Sequence, residues 1–145
     1  SRGMTVMCPT ENVSIAQCNM CETLLKTVGL VSWVEDESLM DAVTALSGSG
    51  PAYIFHLVEA MAQAGETAGL PAEQAMLLAR QTVVGAGFLL DSSEETAETL
   101  RQNVTSPGGT TAAALNVLMD QKSGLPELMT RAVEAARKRS VELAG

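Results

Sequence analysis

The sequence predicts a mainly α protein in which a short strand–helix–strand unit precedes a run of helices. Three observations carry this. The apolar residues after position 36 recur at helical spacing, the breaks between those stretches hold Gly or Pro, and only two segments read as strands, both before residue 36.

The elements follow in order. Met4 to Cys8 (MTVMC) reads as a strand. Ser14 and Gln17 stand at capping-box spacing and open a helix. Cys21, Leu24, Leu25 and Val28 follow on one expected apolar face, and Gly29 supplies the stop. Val31 to Glu35 (VSWVE) reads as the second strand. Two strands and one helix cannot bury their faces alone, so this unit is expected to be the tail of a larger α/β domain.

Beyond Asp36 helices are expected throughout. Ser38 to Asp41 has capping-box spacing and opens a short helix ending near Gly48. Pro51 opens a long helix with Ile54, Leu57, Val58, Met61 and Ala62 along one stripe, and Gly69-Leu70-Pro71 breaks it. The helix expected from Ala72 to Leu90 is apolar nearly all round, which requires cover on most sides. Gly85 and Gly87 inside it cost stability and suggest close helix–helix approach. Glu94 to Leu100 reads as a short acidic helix, Pro107 as the first residue of another, and Ser123 to Pro126 as the start of the last. In that last helix, Arg137-Lys138-Arg139 is expected near the C-terminal end, where cations suit the helix dipole.

Composition bounds the function. The chain has 145 residues, about one domain, and its hydrophobic fraction of 46% allows a core. Aromatics make up only 3%, so aliphatic side chains must fill it. A net charge of -8 argues against nonspecific nucleic-acid binding, which needs a basic footprint. It also means that an anionic substrate would depend on local donors. No apolar run is long enough to suggest a membrane span. The three cysteines, an odd number without a signal-peptide pattern before them, point to a reducing, cytoplasmic compartment.

Four groups of residues are candidates for chemistry. In Ser106-Pro107-Gly108-Gly109-Thr110-Thr111, Ser106 suits an N-cap and Pro107 the first helical position. The first N–H groups of a helix lack internal partners and point toward any anion placed there. No acid sits in this first turn to neutralise the helix dipole, and two threonines add hydroxyl donors. An ordinary capped helix after a glycine turn is the plain alternative. The second group, Ser47-Gly48-Ser49-Gly50-Pro51-Ala52, would put Tyr53 where a dinucleotide loop has glycine at its sixth position, and it follows a helix, not a strand. It reads as a tight helix–helix turn or as a small, backbone-lined wall against a flat ligand, with Thr44 adding a hydroxyl. The third, Cys18-x-x-Cys21, lies inside a helical pattern, and only Cys8 and His56 remain as further ligands, so packing is favoured over metal or redox work. His56, the fourth, suits general acid–base work, but a histidine hydrogen-bonded at a packed surface is the favoured reading.

Val104 to Asp120 (VTSPGGTTAAALNVLMD) and Leu39 to Tyr53 (LMDAVTALSGSGPAY) together resemble the signature segments of pyrroline-5-carboxylate reductases, in the order and spacing of that family, and Trp33 to Asp36 is similar to its interdomain joint. The resemblance implies that residues 1–36 are the C-terminal remnant of an NAD(P)-binding Rossmann domain. Residues 37–145 are then an all-α dimerisation and substrate-binding domain, acting as a homodimer or a higher oligomer of dimers. It implies reduction of the C=N bond of L-1-pyrroline-5-carboxylate to L-proline with NADPH or NADH. By resemblance, Gly109, Thr110 and Thr111 hold the substrate carboxylate beside Ser106. The Thr111 hydroxyl orients the ring nitrogen or relays its proton, Glu94 is an acid near the site, and Thr44, Ser49 and Gly50 lie next to the nicotinamide. No metal is implied. The glycine-rich nucleotide loop does not occur in this sequence, so the 145 residues alone are expected to be inactive. A non-catalytic homodimerisation module is the main competing reading. The helical domain of another hydroxyacid-dehydrogenase-like enzyme is the second; it would need a catalytic lysine, and Lys122 and Lys138 lie outside the glycine turns.

Overall fold

The computed structural model describes residues 2–145. The chain divides into two compact units, Ser1–Gly50 with Ala132–Gly145, and Pro51–Arg131.

The first unit opens on β1 (Gly3–Met7), α1 (Ile15–Leu25) and β2 (Gly29–Trp33). The strands pair in parallel with Gly3 opposite Gly29 and Met7 opposite Trp33, as a crossover through a helix requires. The expected capping box is present: the Ser14 side chain accepts the Gln17 N–H at 3.3 Å, and the Gln17 side chain accepts the Ser14 N–H at 2.8 Å. The expected apolar face is not the inner one. The half-buried positions of α1 are Cys18, Glu22 and Leu25, whereas Cys21, Leu24 and Val28 are exposed. Helical spacing selects that outcome, because residues 18, 22 and 25 share one face.

Glu22, in the middle of that face, accepts a hydrogen bond from the Trp33 indole N–H at 3.0 Å and pairs with Lys26. These two partners hold its carboxyl below the usual carboxylate range, Lys26 contributing most.

After β2 the Val34 N–H donates to Met7 O at 2.9 Å, extending the sheet bonding by one residue. The next helical stretch starts differently from the expected Ser38 box. Asp36 is the cap and accepts the Ser38 N–H at 2.8 Å, opening a 3-10 turn at Glu37–Leu39. Then follow α2 (Met40–Val43) and a π-helical turn, Thr44–Gly48, closed by the Ser49 N–H on Thr44 O at 2.9 Å. The helix thus takes up one extra residue just before α3 (Gly50–Thr67), a distortion frequent at functional sites.

In the second unit α3 leads to α4 (Ala72–Ser92), α5 (Ala97–Asn103), α6 (Thr110–Leu118) and the start of α7 (Leu125–Ala144). Small residues allow α3 and α4 to approach closely. A Cβ on Gly65 would lie 3.2 Å from the Ala75 Cβ and 3.4 Å from Leu70 Cδ1. Gly85 and Gly87 do not serve such an approach within this chain, since a Cβ at either would meet nothing within 4 Å. α7 also runs further than its basic stretch suggested. Arg137 and Lys138 pair with Glu134, and Arg139 with Glu142, ahead of a last turn without basic residues.

Among the described residues the buried apolar side chains are four alanines, Ala45, Ala62, Ala75 and Ala79. Large side chains of α4 stand open, among them Leu77 at 65% and Phe88 at 58% exposure. No helix among the described residues is long and apolar enough to cross a membrane.

Candidate functional site

The stretch from α5 to α6 departs from the expected helix start at Pro107. The Gly109 N–H donates to Ser106 O at 3.0 Å, and Gly108 has φ +69°. Pro107 and Gly108 are therefore the two central residues of a type II β-turn, the one that needs a positive φ at its third position. Pro suits both the first helical residue and the second turn residue, and the glycine after it decides for the turn. Consequently Ser106 is not the N-cap. That position belongs to Gly109, which makes no side-chain cap hydrogen bond, and α6 has no acid in its first turn.

The donors at this end can be counted. The Ala113 N–H is the first to find a helical acceptor, Gly109 O, at 3.1 Å. Gly109 has spent its own N–H on the turn. The N–H groups of Thr110, Thr111 and Ala112 have no acceptor among the described hydrogen bonds, and neither do the hydroxyls of Thr110 and Thr111. Thr111 and Ala112 are half-buried, whereas Thr110 and Ser106 are exposed. Three unpaired donors at an acid-free helix end form a positive pole that suits a carboxylate.

Two other contacts frame this turn. Thr105 Oγ1 donates to Arg101 O at 2.6 Å, and Asn103 Nδ2 donates to Glu95 Oε2 at 3.1 Å. The second brings the acidic loop between α4 and α5 onto the last residue of α5. Sequence spacing held no signal for it, because the partners are eight residues apart, one in the loop before α5 and one at its last residue. Glu94 lies in the same loop and is exposed.

Thr44, Ser49 and Gly50 belong to the first unit: Thr44 opens the π-helical turn, Ser49 closes it and Gly50 begins α3. There Thr44 is exposed, with its methyl 3.7 Å from where a Gly48 Cβ would stand, and Ser49 and Gly50 are half-buried. His56 is exposed and lies 3.0 Å from Glu59 through Nδ1. Cys8, Cys18 and Cys21 are free thiols. Among the described residues no group of three or more His, Cys, Asp or Glu side chains could hold a metal ion.

The family model described as pyrroline-5-carboxylate reductase dimerisation matches residues 37–143. A pyrroline-5-carboxylate reductase of Pseudomonas aeruginosa is 46% identical over 143 residues, covering 99% of this chain and 52% of that protein. One from Arabidopsis thaliana is 50% identical over 108 residues, covering 74% of this chain and 38% of that protein. The structure of a Coxiella burnetii pyrroline-5-carboxylate reductase superposes with a TM-score of 0.89 at 45% identity, over 98% of this chain and 52% of that one. The crystal structure of Plasmodium falciparum pyrroline carboxylate reductase with NADP bound superposes with a TM-score of 0.78 at 30% identity, over 97% of this chain and 53% of that one. The chain thus spans about half the length of the curated relatives it matches. The likeness takes in the strand–helix–strand unit as well as every helix after it, and the chain belongs to the pyrroline-5-carboxylate reductase family.

Proposed function

We propose that this chain provides the substrate-binding and dimerisation part of a pyrroline-5-carboxylate reductase, which delivers a hydride from NAD(P)H to the C=N carbon of L-1-pyrroline-5-carboxylate and a proton to its nitrogen, giving L-proline. The single observation that carries this reading is the uncapped, acid-free start of α6, with three N–H groups free. The Thr110, Thr111 and Ala112 N–H groups bind the substrate carboxylate. The Thr111 hydroxyl, which can donate and accept, orients the ring nitrogen or relays its proton. Ser106 and Glu94 border this site. In the first unit, Thr44, Ser49 and Gly50, at and just after the π-helical turn, are the residues that would line the nicotinamide ring. Local donors suffice here despite the net charge of -8.

The residues of this chain do not fit a dinucleotide pyrophosphate. Of the two Gly-x-Gly runs, Gly48 to Gly50 follows a π-helical turn and enters a helix, and Gly85 to Gly87 lies inside α4, so neither has a strand before it. In this reading, residues 1–36 are the last strand–helix–strand of a nucleotide-binding domain and residues 37–145 the helical domain. The free cysteines suit a reducing, cytoplasmic setting.

A second copy of the chain covers the apolar faces of α4. The large side chains that stand open on α4, Leu77 and Phe88 among them, are what such a copy would cover.

Thermal unfolding with added L-proline tests the substrate site. A carboxylate held by α6 raises Tm with proline concentration. An unchanged Tm up to saturating proline would leave only the dimerisation role.

A further inference from the structure

Resting on the reading of α6 as a carboxylate site, we propose that Asn103 is a positioning residue, whose bond to Glu95 clamps the turn that presents the α6 donors. The bonds inside the turn are all local: Thr105 N–H to Gln102 O at 2.9 Å, Thr105 Oγ1 to Arg101 O at 2.6 Å, and Gly109 N–H to Ser106 O at 3.0 Å. Such bonds fix the shape of a turn but not where it sits. Its placement depends on α5, a helix of seven residues, too short to hold itself in water.

Two side-chain bonds reach from α5 to other segments. Arg101 Nη1 donates to Met119 Sδ at 3.2 Å, and a thioether is a weak acceptor. Asn103 Nδ2 donates to a carboxylate, Glu95 Oε2, at 3.1 Å, which is the stronger kind. Glu95 is itself placed: its N–H donates to Ser93 Oγ at 3.1 Å, and Thr96 next to it caps α5 by accepting the Thr99 N–H at 3.1 Å. The clamp therefore runs from the end of α4, through Glu95, to the residue just before Val104.

The test is a swap. Asn103→Asp sets two carboxylates against each other, and Glu95→Gln in that background restores a bond in the opposite direction, from Gln Nε2 to the Asp carboxylate. Amide exchange at Thr105, Gly109 and Ala113 is read by NMR, with α4 amides as the check on folding. The expected result is three- to tenfold faster exchange at those amides in N103D, and return to within twofold of wild type in N103D/E95Q. L-proline titrated onto the same proteins loses affinity in N103D by a similar factor and regains it in the double variant. Wild-type exchange in N103D, or no recovery in the double variant, overturns the clamp. Altered exchange with unchanged proline affinity overturns the positioning role. Proline failing to bind even the wild type overturns the carboxylate-site reading, and the positioning role with it, while the exchange data still report on the clamp itself.

Discussion

Gly108 offers the sharpest perturbation of the turn before α6. Its φ of +69° is the left-handed conformation, which costs an L-residue roughly 1–2 kcal/mol. A Cβ there would meet nothing within 4 Å, so Gly108→Ala adds backbone strain and no clash. The loss of glycine's freedom in the unfolded chain returns about 0.4–1 kcal/mol. The net is a destabilisation of about 1 kcal/mol, or roughly 2–4 °C in Tm for a chain of this size. The turn has one escape: it can switch to type I, with φ near -90° at that residue. That relieves the strain but rotates the Pro107–Gly108 peptide and re-aims the Thr110 and Thr111 donors. Gly108→Ala therefore loses stability, proline affinity, or part of each. Gly108→Asn, which tolerates the left-handed region, loses less of both. The assay is thermal unfolding at equal protein concentration with and without L-proline. If G108A matched wild type in both Tm and affinity, the assignment of this turn as the presenter of the donors would be refuted.

Charge on α4 tests the dimer: Phe88→Asp, at a side chain 58% exposed here, is expected to convert a species of twice 15.1 kDa to monomer or unfolded chain by light scattering, and an unchanged dimer mass would move the interface elsewhere. The Glu22–Trp33 bond predicts that Glu22→Leu increases acrylamide quenching of the single tryptophan, whereas Glu22→Gln, which keeps an acceptor, changes it little; equal quenching in both would deny the bond a role in solution. Asp120 accepts bonds from the Ser123 hydroxyl and from the N–H groups of Ser123 and Lys122, and the first of these does most to hold its carboxyl below the usual range. Its folded pKa is lower than its unfolded one, so its contribution is complete above the unfolded value and is lost as pH falls through the folded value. Asp120→Asn should flatten the fall of Tm with pH below about 4, and an unaltered slope would show that this turn does not report on acid stability.

Much of the architecture could be read along the chain because helix and strand ends are local events. Ser14 with Gln17, and the Gly69-Leu70-Pro71 break, act through residues three or four apart, and they appear where spacing put them. Local rules also err locally. Pro107 is equally at home in a first helical turn and in a β-turn, and the φ of Gly108 separates the two. The π-helical turn at Thr44–Gly48 has no such mark, since one extra residue in a helix leaves the composition unchanged.

By itself the sequence determined the order of elements, the acid-free glycine and threonine stretch at 106–111, and an apolar surplus on α4 that demands cover. Only the tertiary structure decided which donors of α6 are free, that Glu22 lies on the inner face of α1 against Trp33, and that Asn103 reaches Glu95. The division has one physical cause. Propensity, caps and periodicity act over a turn or two of chain, whereas the partner of a side chain is set by elements that meet only after the backbone has folded.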